Sequence, residues 1–129
     1  MSQQTKYMKA SYSLEFVCLF SVEMPTLEGD AYVFLAVDVF SEFVFSTGVE
    51  KDRKKDNLLK HVKLLVNNED FKKKLPVPFT LVFHKYEELR KDIDKIIKPL
   101  GGKMIVDDLF VTRVLTPVIE HLFKSLSKK

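Results

Sequence analysis

The apolar residues of this chain change period once, near residue 50, and that change narrows the folds open to it. Before it come three runs rich in aromatic and β-branched residues: 14–23 (LEFVCLFSVE), 31–39 (AYVFLAVDV) and 42–48 (EFVFSTG). Pro25, Gly29 and Asp30 supply turn chemistry between the first two. Runs of this kind at this spacing predict an antiparallel three-strand meander. After residue 50 the spacing becomes helical. Leu58, Leu59, Val62, Leu65 and Val66 make one stripe of a helix that Asp52 caps and that ends near Asn67. A polar, basic connection (NNEDFKKKLPVP) leads to a fourth strand at 79–83 (FTLVF). A second helix over 86–98 carries Tyr86, Leu89, Ile93, Ile96 and Ile97, and Pro99 with Gly101 and Gly102 ends it. A fifth strand at 103–107 and a third helix over 111–126, striped by Val114, Leu115, Val118, Ile119, Leu122 and Leu126, complete the order. The order β-β-β-α-β-α-β-α predicts an α/β fold, a five-stranded mixed sheet flanked by helices.

One such sheet suits 129 residues, so 1–129 is read as a single domain with 1–13 a flexible N-terminus. Hydrophobic content of 46% and charged content of 30% argue against disorder. With 11 Phe and no Trp, phenylalanine fills much of the core. The single Cys18 excludes an internal disulfide and reads as a buried small hydrophobe in preference to a reactive thiol. That cysteine usage fits a reducing, intracellular (cytoplasmic) setting. No run of about 18 apolar residues exists, so no membrane span is expected. The polar start, MSQQTKYMKASYS, lacks the apolar region of a signal peptide. A net charge of +3 permits nucleic-acid binding without demanding it.

Three phrases carry a family likeness. They are TLEGDAYVFLAVDVFSEFVF at 26–45, TLVFHKYEEL at 80–89 and LTPVIEHLFKSL at 115–126. Together they resemble the catalytic core of retroviral-type integrases and related DDE transposases, over about residues 14–126. The phrase Val37-Asp38-Val39-Phe40-Ser41-Glu42-Phe43 is similar to the family's VD-x-F-S-R-F. His84 falls where the family has its second Asp, and 35 residues (85–119) separate it from Glu120, the interval the family keeps before its Glu. Gly102 precedes Glu120 by a spacing the family also tends to keep. The resemblance implies a ribonuclease-H-like fold.

It also implies a catalytic triad at Glu23, His84 and Glu120, with Ser21 the alternative to Glu23 if the register slips by two. The family cuts and joins DNA with two Mg²⁺ ions about 3.5–4 Å apart. Mg²⁺ takes hard oxygen ligands in tight octahedral geometry, whereas imidazole suits softer ions. His84 removes one negative charge and Lys85 adds a positive one, moving the balance by two units against two divalent cations. Glu23 adds a methylene to an arm whose geometry is tightly constrained. The resemblance so altered implies a non-catalytic domain binding DNA or a partner subunit, with a homodimer expected and no resident cofactor. The alternative is an active polynucleotidyl transferase or nuclease using Mg²⁺ or Mn²⁺, with Glu23 and Glu120 as metal ligands. No zinc-binding or further DNA-binding domain is recognised, which leaves open that the chain is part of a longer integrase.

Each of these residues has a plainer reading. Glu23 can be a solvated strand end, His84 a surface or capping residue, and Glu120 a polar-face residue beside an apolar stripe. Lys51, Arg53, Lys54 and Lys55 form one basic cluster and Lys72, Lys73 and Lys74 another. With Lys85 they are either solvated faces or phosphate contacts. Asp38 is costly to bury unpaired and is expected on an exposed or edge face. Asp107 and Asp108 are placed to cap the third helix. Phe40 and Ser41 read as structural.

Overall fold

A computed structural model describes residues 9–127. Along the chain run β1 (Phe16–Thr26), β2 (Gly29–Asp38), β3 (Val44–Glu50), α1 (Lys55–Val66), α2 (Glu69–Lys72), β4 (Phe79–Phe83), α3 (Arg90–Ile97), β5 (Gly102–Val106) and α4 (Asp108–Ser127). The strands form one sheet in the order β3-β2-β1-β4-β5. β1 pairs antiparallel with β2, and β2 with β3; β1–β4 and β4–β5 are parallel. This is the five-stranded mixed sheet that the change of period predicts.

Alternation along β1 sends neighbours to opposite faces. Val17 and Leu19 join Phe34, Phe45, Val62, Leu81 and Ile93 in a core under α1 and α3. Cys18 and Phe20 join Leu35, Val37, Val82, Phe110 and Val111 in a second core under α4. All five residues of β4 are buried, which explains its unbroken apolar run. Cys18 is a core residue, its thiol pushed up to about 12 by burial, with the charge of Asp107 adding to the effect. The expected stripe positions Ile119, Leu122 and Leu126 lie outside the described side chains.

Local differences from the sequence expectation have physical causes. β1 continues through Pro25 to Thr26. Beyond Leu19 it has no neighbour on the β4 side, and a strand with a free side tolerates proline. α1 begins at Lys55, with Lys54 in the capping position and no side-chain cap. Asp52 instead accepts from the Lys54 N–H (3.0 Å) and the Asn57 amide (2.7 Å), tying down the loop before the helix. The basic connection hides α2, capped by Asn68, whose side chain accepts from the Phe71 N–H at 3.1 Å. Four residues cannot sustain a helix alone. Fully buried Phe71 anchors it, edge-on to Phe45 and Phe79. Gly102 opens β5 because a Cβ there would lie 2.4 Å from the Phe79 ring. Of the segment 1–13, residues 1–8 lie outside the described residues, while the Tyr12 hydroxyl donates to the Pro78 carbonyl at 2.9 Å.

Asp38 corrects the sequence reading. It is 0% exposed, at the end of β2 and opposite Val17 at the start of β1. One carboxylate oxygen accepts from the hydroxyls of Ser13 and Ser41, both at 2.7 Å. The other accepts from the N–H groups of Leu14 (3.0 Å) and Phe40 (3.3 Å). Four donors supply what water would, so the charge is buried without being unpaired. Ser41 is structural, as expected.

Candidate functional site

The parallel pairing of β1 with β4 stops at Leu19–Phe83. β4 ends there, and beside its end lies a cleft of about 630 Å³, walled by Ser21, Arg53, Leu58, His84, Lys85, Tyr86 and Thr112 among others. The carboxyl ends of parallel strands are where open α/β sheets hold ligands.

β4 delivers His84 to this cleft and then turns sharply. Lys85 (φ 68°) and Tyr86 (φ 73°) both adopt left-handed backbone, which costs about 1–2 kcal/mol for each residue with a Cβ. Two contacts hold the turn. The Asp108 carboxylate accepts from the Lys85 N–H at 2.8 Å and from its ammonium at 3.2 Å. The Tyr86 hydroxyl donates to the Arg53 carbonyl at 3.1 Å. The Lys85 N–H, then its side chain, holds the Asp108 carboxyl below the usual range. Burial pushes the Tyr86 phenol up, against the nearby charge of Arg53. Asp107 caps α4 by accepting from the Phe110 N–H at 3.0 Å, as expected, and Asp108 serves the turn instead.

Arg53 sits in the loop before α1 with its guanidinium 5.2 Å from the centre of the Tyr32 ring. Among the described residues no carboxylate lies within ion-pairing distance of it. Among the described residues the one acidic side chain lining the cleft, Glu88, is 3.6 Å from Lys55.

The other residues singled out in the sequence are placed elsewhere. Glu23 is exposed on the β1–β2 ribbon. Its carboxyl is held above the ordinary range by a hydrogen bond with Asp30 and by that group's charge, with Arg53 opposing. Glu120 is exposed on α4, five residues beyond the cleft-lining Leu115. That is about 7.5 Å further along the axis and turned about 140° from it. Lys54 and Lys55 flank the cleft at the start of α1. Lys72, Lys73 and Lys74 belong to the other end of β4, since Phe71 packs on Phe79, its first residue, at 5.2 Å. Four strand steps separate the two ends of β4 by about 13 Å.

The donor set does not fit a pair of divalent ions. Among the described residues no three His, Cys, Asp or Glu side chains converge as metal ligands. Glu23 faces Asp30 instead of His84, and the groups at the cleft mouth are an ammonium and a guanidinium.

Sequence reasoning placed Arg53 in a charge cluster without giving it the cleft, and did not single out Tyr86 as a wall. No side-chain pattern marks the turn, because Lys85 and Tyr86 are not residues that favour left-handed backbone. A second polar group went unseen. His61, 1% exposed on α1, bonds Glu50 through Nε2 (2.7 Å) and Thr47 through Nδ1 (2.6 Å). It stacks on Phe34 with centroids 4.1 Å apart, and a Cβ on Gly48 would come 3.2 Å from its ring. This trio fastens α1 to the β3 edge.

No protein-family model matches the chain, and no curated protein matches it. Among solved structures it is similar to the HTLV-2 integrase catalytic core domain in complex with magnesium, in its dimeric form. The TM-score is 0.64 and the identity 12%, over 93% of this chain and 77% of that one. The trimeric form of the same domain gives a TM-score of 0.64 at 12% identity, over 93% and 76%. A chain of the simian T-cell lymphotropic virus intasome in complex with PP2A regulatory subunit B56 gamma gives a TM-score of 0.60. There the identity is 10%, over 77% of this chain and 36% of that one. The chain thus spans about a third of that intasome chain. The likeness shows the fold: this is the ribonuclease-H-like architecture of integrase catalytic cores. No helix among the described residues is long and apolar enough to cross a membrane.

Proposed function

We propose, from the fold shared with retroviral integrase catalytic cores, that this chain is an integrase- or transposase-core-like domain that binds DNA and does not cut it. The observation that supports this reading is the composition of the cleft: His84, Lys85 and Arg53 line it, and among the described residues no cluster of metal-ligating side chains does. Cations at that place favour a polyanion and disfavour divalent ions. The likeness to a core described as dimeric supports pairing with a second subunit, readable by sedimentation.

The test is a strand-cleavage assay with Mg²⁺ or Mn²⁺ beside calorimetric titration of each ion. Binding of DNA with neither cleavage nor tight ion uptake is expected. Robust cleavage that disappears in Glu120→Gln would establish the alternative, an active polynucleotidyl transferase built on Glu23, His84 and Glu120.

A further inference from the structure

We infer that Thr47 is an activated nucleophile at the open edge of β3, its hydroxyl served by the buried imidazole of His61 as general base, for attack on an activated ester. Glu50 is the positioning residue behind that base. This goes beyond the DNA-binding reading and does not rest on it.

Proton bookkeeping along the trio sets its direction. The Glu50 carboxylate accepts from the Lys60 ammonium at 2.9 Å, which favours its ionised form, and an ionised carboxylate can only accept. The proton between Glu50 and His61 (2.7 Å) therefore sits on Nε2. In the neutral ring Nδ1 is then an acceptor, and the Thr47 hydroxyl donates to it at 2.6 Å. A hydroxyl, a base and an orienting carboxylate, each within hydrogen-bond reach of the next, is the arrangement that activates a weak nucleophile. The Phe34 carbonyl, 3.4 Å from the hydroxyl, competes only weakly for its proton. The charges at the ring come from Glu50 on β3 and Lys60 on α1, and β2 presents the uncharged Phe34, stacked at 4.1 Å.

Backbone shape points the same way. The pairing of β2 with β3 passes from Leu35–Ser46 to Phe34–Gly48, so Thr47 is the extra residue of a β-bulge. Bulges re-aim a side chain and gather beside active sites. Gly48 follows at φ 139°, a conformation that suits glycine. Thr47 is half-buried and His61 is 1% exposed, so the relay is open at its hydroxyl end and shielded at its base. β3 is the last strand of the sheet among the described residues, and outward N–H groups of an edge strand are free to face a developing oxyanion. In the reaction Thr47 Oγ1 bonds to the ester carbonyl carbon while Nδ1 takes its proton. The bond to the leaving oxygen then breaks, and that oxygen takes the proton from Nδ1, leaving acyl-Thr47 and an alcohol. Water attacks the acyl carbon, passing a proton to Nδ1, and the acid departs as that proton returns to Thr47.

The experiment treats the full chain with an alkyl fluorophosphonate across a pH series and maps the labelled peptide by mass spectrometry. The phosphonyl group is expected on Thr47, fluoride leaving with the hydroxyl proton, at a rate that rises as the imidazole loses its own proton. Thr47→Ser should keep the label and Thr47→Val should lose it. His61→Gln should slow labelling roughly a hundredfold or more. Glu50→Gln should move the midpoint of the pH–rate profile downward, because the imidazolium loses its counter-charge, whereas a merely structural Glu50 would leave the midpoint in place. p-Nitrophenyl acetate should give a burst of about one nitrophenolate per chain that Thr47→Val lacks. If His61→Gln misfolds by circular dichroism, the wild-type map and the two Thr47 variants decide. No label at Thr47, no burst, or labelling undiminished in a folded His61→Gln overturns the inference, and an unmoved midpoint in Glu50→Gln overturns the role given to Glu50.

Discussion

At the start of β1 a carboxylate is sealed inside the protein; past the Leu19–Phe83 pair, beyond the end of β4, cations stand in water. Asp38 and Lys85 are both charges at strand ends, yet their surroundings are opposite. Asp38 has four donors and no solvent. Lys85 has one carboxylate partner and ample solvent. A charge whose bonds are all made inside the fold contributes rigidity. A charge left in water keeps its field for something that arrives. The contrast separates the part of the molecule that fixes the meander from the part that can meet a ligand.

The largest expected effect lies at the sealed end. Asp38→Ala strands two hydroxyls and two N–H groups and should cost about 3 kcal/mol or more in urea denaturation. Asp38→Asn should cost only about 1 kcal/mol, because the amide keeps one acceptor and the Ser13 and Ser41 hydroxyls can turn to accept. Equal costs for the two would break the distinction drawn here.

Next comes acid. Lys60 first, then His61, hold the Glu50 carboxyl below its usual range. The Glu50 contribution is therefore complete above the unfolded value, about 4.3. It is lost as pH falls through the lowered folded value. Asp108 titrates with the same sign. Thermal melts should decline through this acid window, and Glu50→Gln should flatten the decline. Glu23 has the opposite sign, since Asp30 holds its carboxyl up. Its contribution is complete below the unfolded value and fades as pH rises through the folded one, so Glu23→Gln should help only above that window.

Lys85→Gly sharpens the comparison at the open end. Glycine adopts φ 68° freely, so the variant should be more stable by about 0.5–1 kcal/mol while binding DNA less well. Gain of stability with loss of binding is the signature of a residue kept for a ligand. The smallest effect is expected at Glu120. Glu120→Gln should shift the urea midpoint by an equivalent of about 0.5 kcal/mol or less, because the side chain is exposed on α4 outside the cleft lining.

The elements were legible because their periods are: FTLVF reads as buried strand, and Leu58, Val62 and Leu65 as one helical stripe. What escaped depends on partners far along the chain. Asp38 looked costly to bury because its donor Ser13 lies 25 residues away and two of its bonds come from main-chain N–H groups, which no side-chain pattern announces. Phe71 looked like part of a basic linker, since one buried aromatic among lysines has no period. In the cleft, His84 and Lys85 were found by their spacing to Glu120, but the same spacing could not show where α4 starts. With the helix beginning at Asp108, the acidic residue that reaches the turn is Asp108, and Glu120 is left three turns on.

The β1–β2 hairpin has a mechanical consequence. From Phe20 onward β1 loses its β4 neighbour, and from Ala31 back to Gly29 β2 has no β3 beside it. Met24–Ala31 is therefore a cantilever two strands wide, with Leu27 fully exposed at its tip. A two-stranded ribbon is compliant. Ser21, near its root, forms one jaw of the cleft, whereas His84 and Lys85 on the other jaw are clamped to α4 through Asp108. The two jaws thus differ in stiffness, and a load on the ribbon tip would change the gap from one side only.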